Sequence, residues 1–276
     1  MELGAYLDRI GYAGSLAPDV ATLKALHRAH LLAIPYENLD VQLQRPLTPD
    51  PAAAYDKIVR RGHGGWCYEM NGLFGAMLEA AGFDVMRMAG AANRELLGDI
   101  VIGNHLVLRV EIDGETWIAD VGFGDGSIDP FRLQPAEFEV EGFPFRLEKL
   151  DARYWRFHNH PHGGAKSFDF ALEPADPQLL AGRCDWLQYA PESSFVQNLV
   201  AQRFRDGAIL QLRGRTLRTV RPGGVDNRLI GSADELVAVL RTDFSLDAPE
   251  VAGLWPRVVA RHEEVVAAAA EAAQPA

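Results

Sequence analysis

The hydrophobic pattern of this chain changes period near Phe83, and that change is the strongest constraint on what it can fold into. Before it, apolar residues recur three and four positions apart, the spacing that lines one face of a helix. After it, apolar and polar residues alternate, as they do along a half-buried strand. The first part predicts a short helix from Leu3 to Ile10, ended by Gly11. A second helix has Asp19 as N-cap and runs through Val20, Leu23, Leu26, His27, His30, Leu31 and Ile34 to a stop at Pro35. Asp50-Pro51 opens a third, through Tyr55, Ile58 and Val59. A fourth covers Tyr68 to Ala81, with Gly82 as its cap. His27 and His30, three apart, have no further ligand-type residues nearby and are read as structural.

Strands are expected at Val85 to Ala89, Asn104 to Ile112, Thr116 to Asp120, Phe138 to Val140, Phe145 to Leu150, Tyr154 to Phe157 and Phe168 to Leu172. Short antiparallel strands in such a run predict a β-barrel or a curled sheet. The histidines of His158-Asn-His-Pro-His162 are followed by two glycines and read as a polar loop rather than a metal site. Pro174 to Pro191 reads as irregular, and Glu192 to Phe204 as containing a short connecting helix. Ile209 to Leu212 and Thr216 to Val220 flank Arg213-Gly214-Arg215 as a second hairpin. Ser232 caps a helix from Ala233 to Arg241, with Glu235 at the capping-box position. The tail from Pro249 to Ala273 is helical by composition, its alanine-rich end expected to fray.

The result is an α+β chain of three regions: 1–84, helical; 85–190, antiparallel β; and 191–276, mixed. No repeat or low-complexity linker separates them, so they are expected to pack as one body. At 276 residues and 48% apolar content the chain can bury a substantial core. Its net charge of −11 and the lack of a phosphate-tracking basic run argue against nucleic acid and anionic membrane as partners. The first residues, Met-Glu-Leu-Gly, lack a basic stretch followed by an apolar one, and two cysteines make no disulfide framework. A cytoplasmic protein with reduced thiols is the expectation; oligomeric state is left open.

Chemistry concentrates at Arg61-Gly-His-Gly-Gly-Trp-Cys-Tyr-Glu-Met-Asn71. The glycines let backbone and substrate approach closely. Cys67 then falls at the start of a helix, where unpaired N–H groups and the positive end of the dipole favour a thiolate. A lone helical cysteine is ordinarily a small buried hydrophobe, so a nucleophile requires a partner histidine. The hairpin supplies one. With Asp113-Gly114 as a two-residue loop, Ile112 faces Glu115, Val107 faces Asp120 and His105 faces Gly122. His105 and Asp120 thus share a face as diagonal neighbours, roughly 7–8 Å apart at Cα, within reach of a His–carboxylate bond. Leu106, Leu108 and Val110 fall on the other face with Val121, Ala119 and Trp117. A carboxylate on one imidazole nitrogen fixes the tautomer and leaves the other nitrogen to accept a proton from the thiol. That combination gives a thiolate–imidazolium pair, provided the hairpin lies against the Cys67 helix.

Over nearly its whole length the chain resembles the arylamine N-acetyltransferases. The resemblance is carried by Ile34-Pro35-Tyr36-Glu37-Asn38-Leu39, Gly64-Gly65-Trp66-Cys67, His105 and Asp120-Val121-Gly122-Phe123-Gly124. Leu187-Gln188 and Pro191-Glu192-Ser193-Ser194-Phe195 extend it. It implies a helical domain, a β-barrel and a C-terminal α/β lid around a cysteine-protease-like Cys-His-Asp core. It further implies acetyl-CoA as co-substrate, no metal, and a small arylamine, arylhydrazine or N-hydroxyarylamine as acceptor, the chemistry of xenobiotic metabolism. By the same resemblance Cys67 is the nucleophile, His105 the general base and acid, and Asp120 its orienting carboxylate. Tyr36 and Phe123, with Gly124, match positions at the acceptor pocket, and Ser193 lies in the segment that meets the coenzyme. Two departures stand out. His63 replaces an arginine that braces the loop in the family against the glutamate matching Glu37, which a histidine does fully only when protonated. Tyr189 and Ala190 replace small hydroxyl residues after Leu-Gln. An amide synthase with a larger acyl donor, and a cysteine hydrolase or transglutaminase-like enzyme, are the competing functions for such a triad.

Overall fold

The computed structural model describes residues 1–272. The first helix, Leu3–Ile10, ends where Gly11 turns left-handed. The second, Val20–Ala33, starts at Asp19, whose carboxylate accepts the Thr22 N–H at 2.7 Å. Pro35 ends it, and the chain passes into a two-residue strand, β1 (Tyr36–Glu37). The helix opened by Asp50 is regular only over Pro51–Tyr55. It then widens into a π-helical turn over Asp56–Arg60, a feature the apolar spacing does not predict. The Cys67–Ala80 helix follows, with Gly82 left-handed just beyond it.

This last helix is buried along most of its length. Met70, Leu73, Phe74, Met77 and Leu78 join one core cluster with Val107, Leu108 and Val110 of the sheet described next. Each such side chain contributes about 1.5–3 kcal/mol by leaving water. That shared core seats the nucleophile helix on the strands.

The large sheet is built from β2 (Asp84–Ala92), β3 (His105–Ile112), β4 (Glu115–Ala119), β5 (Phe131–Arg132), β6 (Ala136–Val140), β7 (Phe143–Lys149), β8 (Tyr154–His158) and β9 (Ser167–Ala171). Its order is β5-β4-β3-β2-β9-β8-β7-β6, antiparallel where strands pair. The expected hairpin register holds: Ile112 pairs with Glu115 and Leu108 with Ala119 around a turn in which Asp113 and Gly114 are both left-handed. A closed barrel does not form. The edges β5 and β6 exchange no ladder, and the curl is instead filled by aromatic rings. Phe131 lies 5.6 Å from Phe138 and 5.0 Å from Phe157, and Phe157 lies 5.0 Å from Phe168. The result is a half-barrel around a phenylalanine core.

One correction concerns the following segment. Pro174 to Pro191 is not irregular but contains a helix, Pro177–Tyr189, capped by the Asp176 carboxylate on the Gln178 N–H at 2.8 Å. Its Asp-Pro start repeats the signal at Asp50-Pro51; the interior Gly182 and weak apolar periodicity hide the rest. The expected short connecting helix is Ser194–Gln197, and β10 (Val200–Arg205) starts within the same stretch. β11 (Ala208–Arg213), β12 (Thr216–Arg221) and β13 (Gly224–Leu229) follow as a meander. The small sheet runs β1-β10-β11-β12-β13, so its first strand comes from the helical region. β13 is polar and half to fully exposed, an edge strand with no alternating pattern to betray it.

The Ala233–Phe244 helix starts at Ser232, whose hydroxyl accepts the Glu235 N–H at 3.1 Å. The last helix spans Trp255–Ala272, and the expectation for Ala273 lies outside the described residues. None of the described helices is long and apolar enough to cross a membrane.

Candidate functional site

The glycine loop before Cys67 is held from both sides. Glu37 N–H donates to Gly65 O at 2.9 Å, and His63 N–H donates to Lys57 O at 3.1 Å. A Cβ at Gly64 would overlap the Pro35 carbonyl oxygen, so the close passage past Pro35 requires glycine. Trp66 is the N-cap, and Glu69 accepts its N–H at 3.2 Å, leaving Cys67 as the first residue of the helix.

Beneath this loop lies a buried cation absent from the sequence reading. Lys57 Nζ sits 3.0 Å from Glu37 Oε1, 3.0 Å from Asp40 Oδ2 and 2.9 Å from Glu69 Oε2. Burial alone would favour its neutral form, but Glu37, Glu69 and Asp40 raise its pKa. Glu69, buried against Lys57 and repelled by Glu37, is pushed up to about 7. Lys57, projecting from the π-helical turn, is thus the cation that Glu37 meets beneath the loop. Among the described residues the His63 side chain makes no hydrogen bond, and Glu37 is met by Lys57 instead. The clue was available: Glu37 and Glu69 need a cation, and Lys57 lies on the inward face with Ala54 and Ile58.

His105 opens β3 and Asp120 follows β4, and the hairpin register brings them together as expected. His105 Nε2 is 2.6 Å from Asp120 Oδ2, and both residues are buried. The other carboxylate oxygen accepts Asn71 Nδ2–H at 2.7 Å and the Gly122 N–H at 2.9 Å. Burial opposes ionisation, yet the His105 charge, these hydrogen bonds and the Asn71 amide hold the Asp120 carboxyl below its ordinary range.

Asn71 lies one helical turn beyond Cys67. It donates to Leu106 O at 2.6 Å and accepts Val121 N–H at 2.8 Å, fastening hairpin to helix. From behind, His27 Nε2 accepts the Asp120 N–H at 3.1 Å while Nδ1–H donates to Ile128 O at 2.8 Å. At Gly122 a Cβ would come within 2.8 Å of Cys67 Cα, so glycine permits this approach.

Cys67 and His105 line one cavity of about 500 Å³, together with Tyr36, Gly122, Phe123 and Asp125. Burial pushes the Cys67 thiol up, while N–H groups of Leu106 and Tyr68 act the other way. Its sulfur lies 3.8 Å from the Asn104 carbonyl oxygen, a hydrogen bond donated by a thiol. Burial thus outweighs the donors at the helix start and favours the neutral thiol. Among the described residues His105 Nδ1 has no hydrogen-bond partner. Phe123 and Phe168 pack on the ring, at 5.4 and 5.2 Å between centroids.

The remaining predicted residues divide. Gly124, left-handed, does not itself line the cavity but abuts Gln202 and Tyr36, which do. Ser193 does not line the cavity. It is buried, donates to Leu187 O at 2.6 Å and accepts the Phe195 N–H at 3.2 Å, while its neighbours Ser194 and Phe195 face the space. Tyr189, exposed at the end of its helix, lies away from the lining. Asp125, which the sequence reading passed over, is a buried carboxylate on the wall. It accepts from Gln211 Nε2, Gly164 N–H and Asn159 Nδ2, and burial pushes it up to about 6. His160 Nε2–H donates to Asp125 O, and His158 pairs with Glu148. Among the described residues no group of three or more His, Cys, Asp or Glu is placed to hold a metal ion.

The site gathers a thiol at a helix start and a carboxylate-backed imidazole in one cavity, on a half-barrel beside a second sheet. The profile of the N-acetyltransferase family matches residues 19–251. The chain belongs to the arylamine N-acetyltransferase family. It is 33% identical over 268 residues to an arylamine N-acetyltransferase of Mycolicibacterium smegmatis, covering 92% of this chain and 94% of the relative. It superposes with a TM-score of 0.84 on the Mycobacterium marinum arylamine N-acetyltransferase in complex with CoA, at 31% identity over 94% of this chain and 98% of the other. With the enzyme of Nocardia farcinica the identity is 35% and the TM-score 0.82, over 95% and 93% of the two chains.

Proposed function

We propose that this chain transfers the acetyl group of acetyl-CoA to an arylamine, arylhydrazine or N-hydroxyarylamine by way of an acetyl-cysteine. The observation that carries the reading is the His105–Asp120 pair at 2.6 Å opening onto the cavity that also exposes Cys67. In the first half-reaction His105 Nδ1 takes the thiol proton as Cys67 sulfur attacks the thioester carbonyl. The C–S bond to CoA breaks, and His105 returns the proton to the departing CoA sulfur. Asp120 supports the imidazolium in between and stays ionised. In the second half-reaction the acceptor nitrogen or hydroxylamine oxygen attacks the acetyl-cysteine, its proton passing to His105 and on to the Cys67 sulfur. The N–H groups of Leu106 and Tyr68 beside the sulfur are the donors for the developing oxyanion.

Segment 1–84 supplies the nucleophile in this reading, 85–190 the histidine and aspartate, and 191–276 the wall that roofs the cavity. Two free, buried cysteines fit a reducing, cytoplasmic setting.

Intact-protein mass spectrometry tests the scheme. After mixing with acetyl-CoA the wild type is expected to gain about 42 Da, the mass of acetyl replacing hydrogen, while Cys67→Ser gains nothing. CoA released in a burst before acceptor is added completes the expected pattern. Thioester loss that runs equally fast without any amine would instead mark a hydrolase.

A further inference from the structure

The small sheet sends a row of polar side chains into the catalytic cavity. Tyr36 pairs with Gln202, Gln202 with Gln211 and Gln211 with Arg218, across β1, β10, β11 and β12. Directly paired residues share one face of a sheet, and neighbouring strands stand about 4.8 Å apart. All four line the cavity, whose remaining walls include the apolar Leu97, Phe123, Leu187 and Phe195. The row begins beside the nucleophile, because Tyr36 also bridges Gly65, two residues before Cys67.

The far members of the row are engaged with their neighbours. Gln211 Nε2–H donates to Asp125 Oδ2 at 2.6 Å, and Gln211 Oε1 accepts from Arg218 Nη1–H at 2.6 Å. A second guanidinium nitrogen of Arg218 donates to His162 O at 3.3 Å. Gln202 differs. Among the described residues its carboxamide makes no hydrogen bond, although it offers N–H donors and an acceptor oxygen. Neither polar atom is walled in, and both stay open to the space they line. Left-handed Gly124 gives the group its room, since a Cβ there would overlap the amide oxygen.

An unengaged amide one strand beyond Tyr36 sorts what enters. An apolar ring edge laid on it would strip its water and offer no bond in exchange, which is costly for a desolvated donor or acceptor. A ring that carries its own hydrogen-bonding group replaces the lost water. The spacing suits an aromatic acceptor. With the reacting nitrogen at Cys67, one strand separation of about 4.8 Å past Tyr36 is roughly the span of a benzene ring.

We propose that Gln202 selects the acceptor by hydrogen-bonding a neutral polar substituent, such as a hydroxyl or carboxamide, on the side of the ring away from the reacting nitrogen. The assignment rests on the acetyl-cysteine reading above and adds what the acceptor carries. Gln202 takes no part in forming the acetyl-enzyme.

The test compares p-aminophenol with p-toluidine, which differ by a hydroxyl for a methyl at nearly equal size. The wild type is expected to show the higher kcat/KM with p-aminophenol. Gln202→Met keeps the shape of the side chain and removes the amide. It is expected to lower kcat/KM for p-aminophenol by about fivefold or more, and for p-toluidine by less than about twofold. Setting variant against wild type cancels the intrinsic difference between the two amines. Acetyl-enzyme formation from acetyl-CoA, measured before either amine is added, is expected to stay within about twofold, which also shows that the variant is folded. Gln202→Leu repeats the measurement should the methionine variant not fold. No preference in the wild type, or no loss or an equal loss with the two amines in the variant, overturns the proposal. A loss confined to acetyl-enzyme formation overturns it too, because the amide then serves the donor. Failure of the acetyl-cysteine reading looks different, since the wild type then forms no acetyl-enzyme at all.

Discussion

His27 shows how a single side chain far from the sulfur conditions the site. Its Nε2 receives the Asp120 N–H, so that nitrogen carries no proton and the ring is neutral. Burial lowers its pKa to about 4 from an ordinary 6.5. The folded state thus binds a proton less readily than the unfolded chain. The stability linked to His27 is fully present above about pH 6.5 and is lost as pH falls toward 4, amounting to about 3 kcal/mol. Urea unfolding at pH 7 and pH 4.5 measures this. His27→Gln, which keeps a donor and an acceptor but cannot charge, is expected to show a flatter dependence; an unchanged slope would separate acid sensitivity from this residue. Helical spacing assigns His27 a structural role, and it has one. What spacing leaves hidden is the partner, because His27 and Asp120 meet across separate elements with no local pattern in common. The same holds for Asn71, visible as the residue one turn past the cysteine but not as the tie to the hairpin.

At the scale of elements, the π-helical turn Asp56–Arg60 sets the position of the nucleophile loop through Lys57. Removing a buried cation leaves its carboxylates without compensation, so Lys57→Met is expected to cost about 3–5 kcal/mol, read as a lowered urea midpoint. His63→Ala, at the position of the missing family arginine, is expected to stay within about 0.5 kcal/mol. The reverse ranking would assign the brace to His63. A π-helical turn differs from an α-turn by one residue of hydrogen-bond register, which leaves no mark in an apolar pattern. The hairpin was legible to the residue because Asp113-Gly114 admits one tight turn and the buried face admits one register. The Pro177–Tyr189 helix was not, since Leu180, Cys184 and Leu187 make a sparse buried face interrupted by Gly182.

At the scale of the molecule, the division into three regions is crossed by its own hydrogen bonds. Tyr36 pairs with Gln202 in the small sheet. Asn38, buried, donates to Phe195 O and Asn198 O at 2.8 Å each and accepts the Val200 N–H at 2.8 Å. A chain ended at residue 190 would bury or strand these groups unpaired, which costs about 1–3 kcal/mol for each. Residues 1–190 are therefore expected to unfold without a sharp transition and to be digested readily by protease, whereas the full chain unfolds cooperatively. A stable, protease-resistant 1–190 fragment would show that the first two regions stand alone. Composition and periodicity suggest three regions; β1 escapes them because two residues after a proline carry no periodic signal.

That β1 belongs to a late sheet also orders events on the ribosome. Asn38 waits for Val200, 162 residues further along, before its side-chain oxygen has a donor. The segment bearing the reactive sulfur emerges early but gains its supporting strand only when most of the polypeptide has been made. A nascent chain of this kind completes the hydrogen-bonded support beside Cys67 only late in its translation.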